Sequence, residues 1–178
     1  MMKTIARSIL YIIGVTTLLS SCTSQTKYYH YEHTPVAGWE KNDTISFDVP
    51  PLKQEGEYGR TVNLRITGLY PFMKLTLIVE TDCMDRHLRK GRAGNAPGAY
   101  GRKRGKGDVS CDTLKCTLVS NEGRATGYGV GNYQYQFSMP PRHYHAGDSL
   151  HITIRHDMKR EILPGISDVG LRLYREGE

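Results

Sequence analysis

Apolar residues in this chain recur at every second position, in one short segment after another, and nowhere at helical spacing. Ile45, Phe47 and Val49 alternate with Thr44, Ser46 and Asp48, and Val62, Leu64 and Ile66 with Asn63, Arg65 and Thr67. Leu75, Leu77 and Val79 follow the same rule, with Ile78 interrupting the polar side. So do Leu114, Cys116 and Leu118; Tyr133, Tyr135 and Phe137; Leu150, Ile152 and Ile154; Val169, Leu171 and Leu173; and Tyr29, Tyr31 and His33. Successive side chains of a strand point to opposite faces, so each segment buries one face and leaves the other wet. About eight such segments predict an all-β fold, an antiparallel β-sandwich of jelly-roll or immunoglobulin-like type. A parallel sheet is excluded because its strands are buried on both faces. The separators, Pro50-Pro51, Gly68, Gly123 to Gly131, Pro140-Pro141, Gly147-Asp148 and Pro164-Gly165, read as turns and loops.

The first 21 residues do not belong to that pattern. Lys3 and Arg7 precede the apolar run Ile9 to Leu19, and small residues follow, the order of a secretory signal peptide. Leu19-Ser20-Ser21-Cys22 is a bacterial lipobox, so cleavage is expected to expose Cys22 for acylation on sulfur and nitrogen. Two or three chains, each methylene contributing about 0.8 kcal/mol when buried, anchor far more firmly than one. The expected organisation is a signal peptide over 1–21, lipidated Cys22 and a polar tether over 22–27, and one sandwich domain over 28–178. Such a chain works in the cell envelope, not the cytoplasm. Thr23 after Cys22 gives no acidic retention cue, which favours the outer membrane, facing the periplasm.

The formal charge of +6 divides unevenly. Loss of Lys3 and Arg7 leaves 22 basic residues against 18 acidic ones on the mature chain, or +4. Arg86, Arg89, Lys90, Arg92, Arg102, Lys103, Arg104 and Lys106 form a run of eight cations without an acid, so the rest of the mature chain carries −4. Gly and Pro throughout this stretch prevent a helix or packed strand and predict a long hairpin loop at 85–108. Anionic lipid headgroups, envelope polyanions or an acidic partner protein would suit it, and a solvated loop without a ligand is the alternative. Export argues against nucleic acid.

YEHTPVAGWEKNDTISFDV near the mature N-terminus, GDSLHITIRHDM, and LPGISDVGLRL at the C-terminus, all downstream of a lipobox, resemble the gliding-motility lipoprotein GldH family of Bacteroidetes. The resemblance covers nearly the whole mature chain. It implies an envelope lipoprotein associated with gliding motility and its companion type IX secretion system, no enzymatic activity, no cofactor, and a functional Cys22. The segment Asp85 to Asp108 is longer and more basic than the pattern of that family, and Arg124 to Gly129 richer in glycine.

Three cysteines remain after lipidation, an odd number in an oxidising compartment. A Cys83–Cys111 bridge would pinch the base of the basic loop, but Cys83 shares the inward face with Leu77 and Val79 whereas Cys111 falls on the opposite one, so it requires an irregular strand end. Free thiols and a Cys83–Cys116 bridge are the alternatives. Their spacing supports no metal site. His143-Tyr144-His145 places two imidazoles two residues apart, beside Pro140-Pro141 and without a third ligand at fixed spacing, so surface histidines are expected and no metal. No Ser sits in a nucleophile elbow. Trp39 is expected to pack over one end of the core. The reading is a non-catalytic envelope lipoprotein with partners in a motility or secretion assembly. A glycan-binding module using Tyr128, Tyr133, Tyr135 and Trp39 is the alternative, and an envelope hydrolase is a weaker one.

Overall fold

The computed structural model describes residues 26–84 and 108–177; Cys22 and the eight cations from Arg86 to Lys106 lie outside them. The elements are β1 (Thr26–His33), β2 (Trp39–Glu40), β3 (Ile45–Val49), β4 (Gly56–Thr67), β5 (Lys74–Met84), β6 (Asp108–Thr117), β7 (Asn132–Tyr144), β8 (Ser149–His156), β9 (Ile162–Leu163) and β10 (Ile166–Arg175). The eight longer strands coincide with the eight alternating segments. They form two four-stranded sheets, β1-β10-β4-β7 and β3-β8-β5-β6, paired antiparallel throughout. Numbered among themselves in chain order, the long strands run 1-8-3-6 in one sheet and 2-7-4-5 in the other. That order is the jelly roll and not the immunoglobulin arrangement, because β5 and β6 are the one pair of consecutive long strands joined as a hairpin.

The inward halves of the alternation meet between the sheets. Val62, Leu64, Ile66, Val169, Leu171 and Leu173 come from the first sheet, and Phe47, Leu75, Leu77, Val79, Leu150, Ile152 and Ile154 from the second, all buried in one cluster. The short β2–β9 pair closes one end of this core. Trp39, at 0 % exposure, sets its ring edge-on to His156 at 5.4 Å and donates its indole N–H to the Asp43 carbonyl. Trp39 therefore packs as the sequence suggests. The turn before β10 needs Gly165, whose φ is +84° and whose missing Cβ would stand 2.4 Å from the Tyr70 nitrogen.

At one long side of the sandwich, edge strands β6 and β7 face each other across the core, and charge replaces apolar packing. Arg60 of β4, 1 % exposed, donates to Asp112 of β6 at 3.2 Å, to the Thr81 hydroxyl of β5 at 3.2 Å and to the Pro140 carbonyl at 3.1 Å. Arg142 of β7 reaches the same carboxylate at 3.3 Å. One carboxylate thus ties both sheets together.

Four expectations require correction. Tyr29, Tyr31 and His33, counted with the inward residues of their segment, lie on the outer face opposite Arg172, Gly170 and Asp168, and Tyr28, opposite Leu173, packs against the core instead. Thr26 and Lys27, assigned to the tether, belong to β1, where Thr26 pairs with Tyr174. Pro140-Pro141 does not end a strand: β7 runs through both prolines to Tyr144. The ladder shifts register between Tyr58 and Arg60 at that point, and β7 is an edge strand, so residues lacking an N–H are tolerated. The Cys83–Cys111 bridge is not formed. Cys111 stands opposite Glu80 and Cys83 opposite Asp108, three steps or about 10 Å along the ladder, and a bridge requires Cα atoms within about 7 Å. Cys111 and Cys116 are free thiols.

Candidate interaction surface

The two outer faces of the sandwich differ in chemistry. On the second sheet the outward positions are mostly short or charged, Ser46, Asp48, His151, Thr153, Arg155, Glu80, Asp82 and Thr113 with the apolar Ile78 and Val109, some of them paired locally, as in Asp48–His151 at 2.7 Å and Arg155–Glu80 at 3.9 Å, while one Asp82 oxygen is buried without a partner. The first sheet instead presents tyrosine and arginine. Register places Tyr29, Tyr31 and His33 of β1 beside Arg172, Gly170 and Asp168 of β10, then Thr61, Asn63 and Arg65 of β4, then Ser138, Gln136 and Gln134 of β7.

Glycines let the rings lie flat on this face. A Cβ on Gly170 would stand 2.6 Å from the Tyr31 ring, and one on Gly59 would stand 2.3 Å from Tyr174. The Arg65 guanidinium sits 4.2 Å from the Tyr31 centroid, and that of Arg172 5.2 Å from Tyr174. Such contacts contribute about 0.5–1 kcal/mol at exposed sites. Tyr29 meets Tyr31 edge-on at 5.4 Å and donates its hydroxyl hydrogen to it. Burial, and then this hydrogen bond, push the Tyr31 hydroxyl up to about 12. Asp168 anchors the far end, 2.5 Å from His33 and 3.9 Å from Arg65. Beneath the rings, the Thr61 hydroxyl and the Asn63 side-chain nitrogen are buried without hydrogen-bond partners. Tyrosine and arginine dominate the energetics of protein interfaces, because each brings large area together with a directional polar group.

The same face continues over β7 into an open groove of about 460 Å³ lined by Tyr128, Gln134, Tyr135, Gln136, Phe137 and Ser138. The β6–β7 connection folds back here, Tyr128 and Gln134 exchanging two backbone hydrogen bonds at 2.9 and 2.7 Å, which covers part of the β7 edge. Tyr128 itself is 86 % exposed. The aromatic set Tyr128, Tyr133, Tyr135 and Trp39 does not assemble into a glycan platform: Trp39 and Tyr135 are buried, and the Tyr135 hydroxyl donates to Leu118.

The histidines divide in two ways. His156 is wholly buried, its Nε2 against the Trp39 carbonyl at 3.2 Å and its Nδ1 accepting from the Met158 N–H at 3.4 Å, a neutral imidazole whose pKa burial lowers. His143 and His145 are exposed as expected, but His143 lies on β7 and a third group joins them. Glu55, from the β3–β4 loop, brings a carboxylate so that ligand atoms of Glu55, His143 and His145 lie within 4.8 Å of one another. No sequence spacing connects Glu55 with residues 88 to 90 positions later; the β4–β7 pairing does. Cys116 is buried, which pushes its thiol up to about 12.

Known proteins bear on this chain as follows. The family model described as GldH lipoprotein matches residues 26–97 and 95–173. The gliding motility lipoprotein GldH of Flavobacterium johnsoniae is 26 % identical over 166 residues, spanning 89 % of this chain and 91 % of its own length. Among solved structures, a family GH115 4-O-methyl-alpha-glucuronidase is 14 % identical with a TM-score of 0.41 over 86 % of this chain. Dimeric latent PorU from Porphyromonas gingivalis is 9 % identical with a TM-score of 0.32 over 88 % of it. The chain spans only 17 % and 14 % of those two proteins, and at these scores the likeness extends to no function. The family match covers both halves of the jelly roll and the full-length relative agrees with it: the chain belongs to the GldH lipoprotein family.

Proposed function

We propose that this protein is a non-catalytic, lipid-anchored envelope component that serves an assembly associated with gliding motility and type IX secretion, docking through the outer face of the β1-β10-β4-β7 sheet. Membership of the GldH lipoprotein family supports the envelope and motility setting. The observation that carries the docking reading is the concentration of Tyr29, Tyr31, Arg65, Arg172 and Tyr174 on one outer face, where guanidinium groups lie over rings, against an opposite face that carries no tyrosine among its outward strand residues. Function is then placement. Acyl chains on Cys22 hold the domain at the outer membrane on its periplasmic side, the jelly roll keeps the tyrosine–arginine face rigid, and the cations from Arg86 to Lys106 add attraction to an anionic lipid, glycan or acidic partner surface.

Crosslinking and recovery from native membranes tests this. The wild-type chain should bring down envelope proteins; Tyr31→Ala with Arg65→Ala should lose them while staying in the membrane fraction; Cys22→Ala should leave that fraction. Recovery of the wild-type monomer alone would overturn the assembly role. Unchanged binding to envelope fractions at low salt after removal of Arg86 to Lys106 would remove the polyanion contact.

A further inference from the structure

Glu55, His143 and His145 come together by construction of the fold rather than by chance approach of mobile side chains. The last pairs of the β4–β7 ladder are Glu57 with His143 and Gly56 with Tyr144, so Glu55, one step further, comes abreast of His145 on the same outward side. Two backbone hydrogen bonds clamp the loop before β4 to the turn after β7: Leu52 N to the Asp148 carbonyl at 2.8 Å and Gly147 N to the Leu52 carbonyl at 2.7 Å. Asp148, 3 % exposed, accepts from the His145 N–H at 2.8 Å, and its carboxylate lies 3.7 Å from His145 Nδ1. Its other oxygen is buried and has no hydrogen-bond partner.

We propose that Glu55, His143 and His145 form a divalent transition-metal site of zinc type, with Asp148 as the carboxylate behind His145. Two imidazoles and one carboxylate are a donor set that zinc accepts, leaving a fourth position for water or an external ligand. Bonds of about 2.0–2.1 Å in a tetrahedron place ligand atoms about 3.3 Å apart. His143 Nε2 and Glu55 Oε1 are already 3.6 Å apart, and the widest separation in the trio is no more than 4.8 Å. Closure therefore asks for about 1.5 Å of movement from exposed side chains, with no backbone change. A buried carboxylate beside the second nitrogen of a ligating histidine fixes its tautomer and raises its basicity, and removal of such a partner typically weakens metal binding 10–100-fold. Glu57, opposite His143, adds a further negative charge on this side.

The test is a Co2+ titration of the full chain, purified in detergent and freed of metal, read by its visible ligand-field absorption and by displacement with Zn2+. One equivalent should bind, and Glu55→Gln, His143→Gln and His145→Gln should each weaken binding by at least about tenfold. All three residues are exposed, so the variants fold, and His30→Gln and His33→Gln serve as controls that should leave the affinity unchanged. Wild-type binding no tighter than about 1 mM, equal binding by the triple variant, or an equal loss in the controls would overturn the site.

Discussion

The carboxylate of Asp112 is the most informative single position for stability, because it is the counter-ion of a guanidinium that the fold removes from water. Asp112→Ala leaves Arg60, 1 % exposed, with only the Thr81 hydroxyl and the Pro140 carbonyl as acceptors. Breaking a buried pair from one side costs about 3–5 kcal/mol. Asp112 is itself 24 % exposed, so water screens part of the loss, and Arg142, 34 % exposed, adds little. The expected destabilisation is about 3 kcal/mol, which lowers Tm by roughly 6–12 °C in a domain of this size. Arg60→Met in the same chain removes the stranded charge, so the double variant should recover more than half of the loss. Urea unfolding followed by Trp39 fluorescence measures both, since Trp39 is the one tryptophan and is fully buried. A change below about 0.5 kcal/mol in Asp112→Ala, or strict additivity in the double variant, would refute the ion-pair reasoning.

Other expectations concern titration, backbone and thiols. His156 has a pKa lowered by burial, so below pH 6.5 the unfolded chain binds the proton that the folded one refuses; stability should fall as pH drops through that window, and His156→Gln should flatten the dependence. Gly165→Ala meets both a positive φ and the Tyr70 backbone and should cost more than about 2 kcal/mol, whereas Gly170→Ala meets only the Tyr31 ring, which can swing outward, and should cost about 1 kcal/mol in the same urea assay. Cys111, exposed, should react with a disulfide reagent in the native protein, while Cys116, buried and with its thiol at about 12, should react only on unfolding. Mass analysis without reduction should find Cys83 and Cys111 unlinked.

The long strands were readable because a half-buried strand must alternate, and nothing in the chain competes with that period. Parity alone placed Cys83 inward and Cys111 outward, which the ladder bears out. What alternation cannot carry is pairing. The choice between jelly roll and immunoglobulin order depends on which strand lies beside which, and no residue states that β10 inserts between β1 and β4. Pro140-Pro141 misled for the same reason, since an edge strand with a bulge accepts prolines that an inner strand would reject. The tyrosine–arginine face was missed because Tyr29 and Tyr31 look like the inward set of their segment; in the assembled sheet Tyr28 takes that side, and Tyr29 and Tyr31 turn outward beside Arg65 and Arg172. Glu55 joins His143 and His145 through a loop clamp with no counterpart in spacing. Arg60 was invisible because it breaks the rule, an arginine at an inward position whose partner Asp112 belongs to the other sheet.

The tyrosine–arginine face as the docking surface is tested most directly by site-specific photocrosslinking in the native envelope. A photoreactive residue at Tyr29 or Gln136, on the outer face of the first sheet, should yield discrete heavier adducts with envelope proteins, while the same residue at Ser46 or Thr113, on the outer face of the second, should yield none. Adducts from Ser46 or Thr113 alone, or equal adducts from both faces, would contradict it.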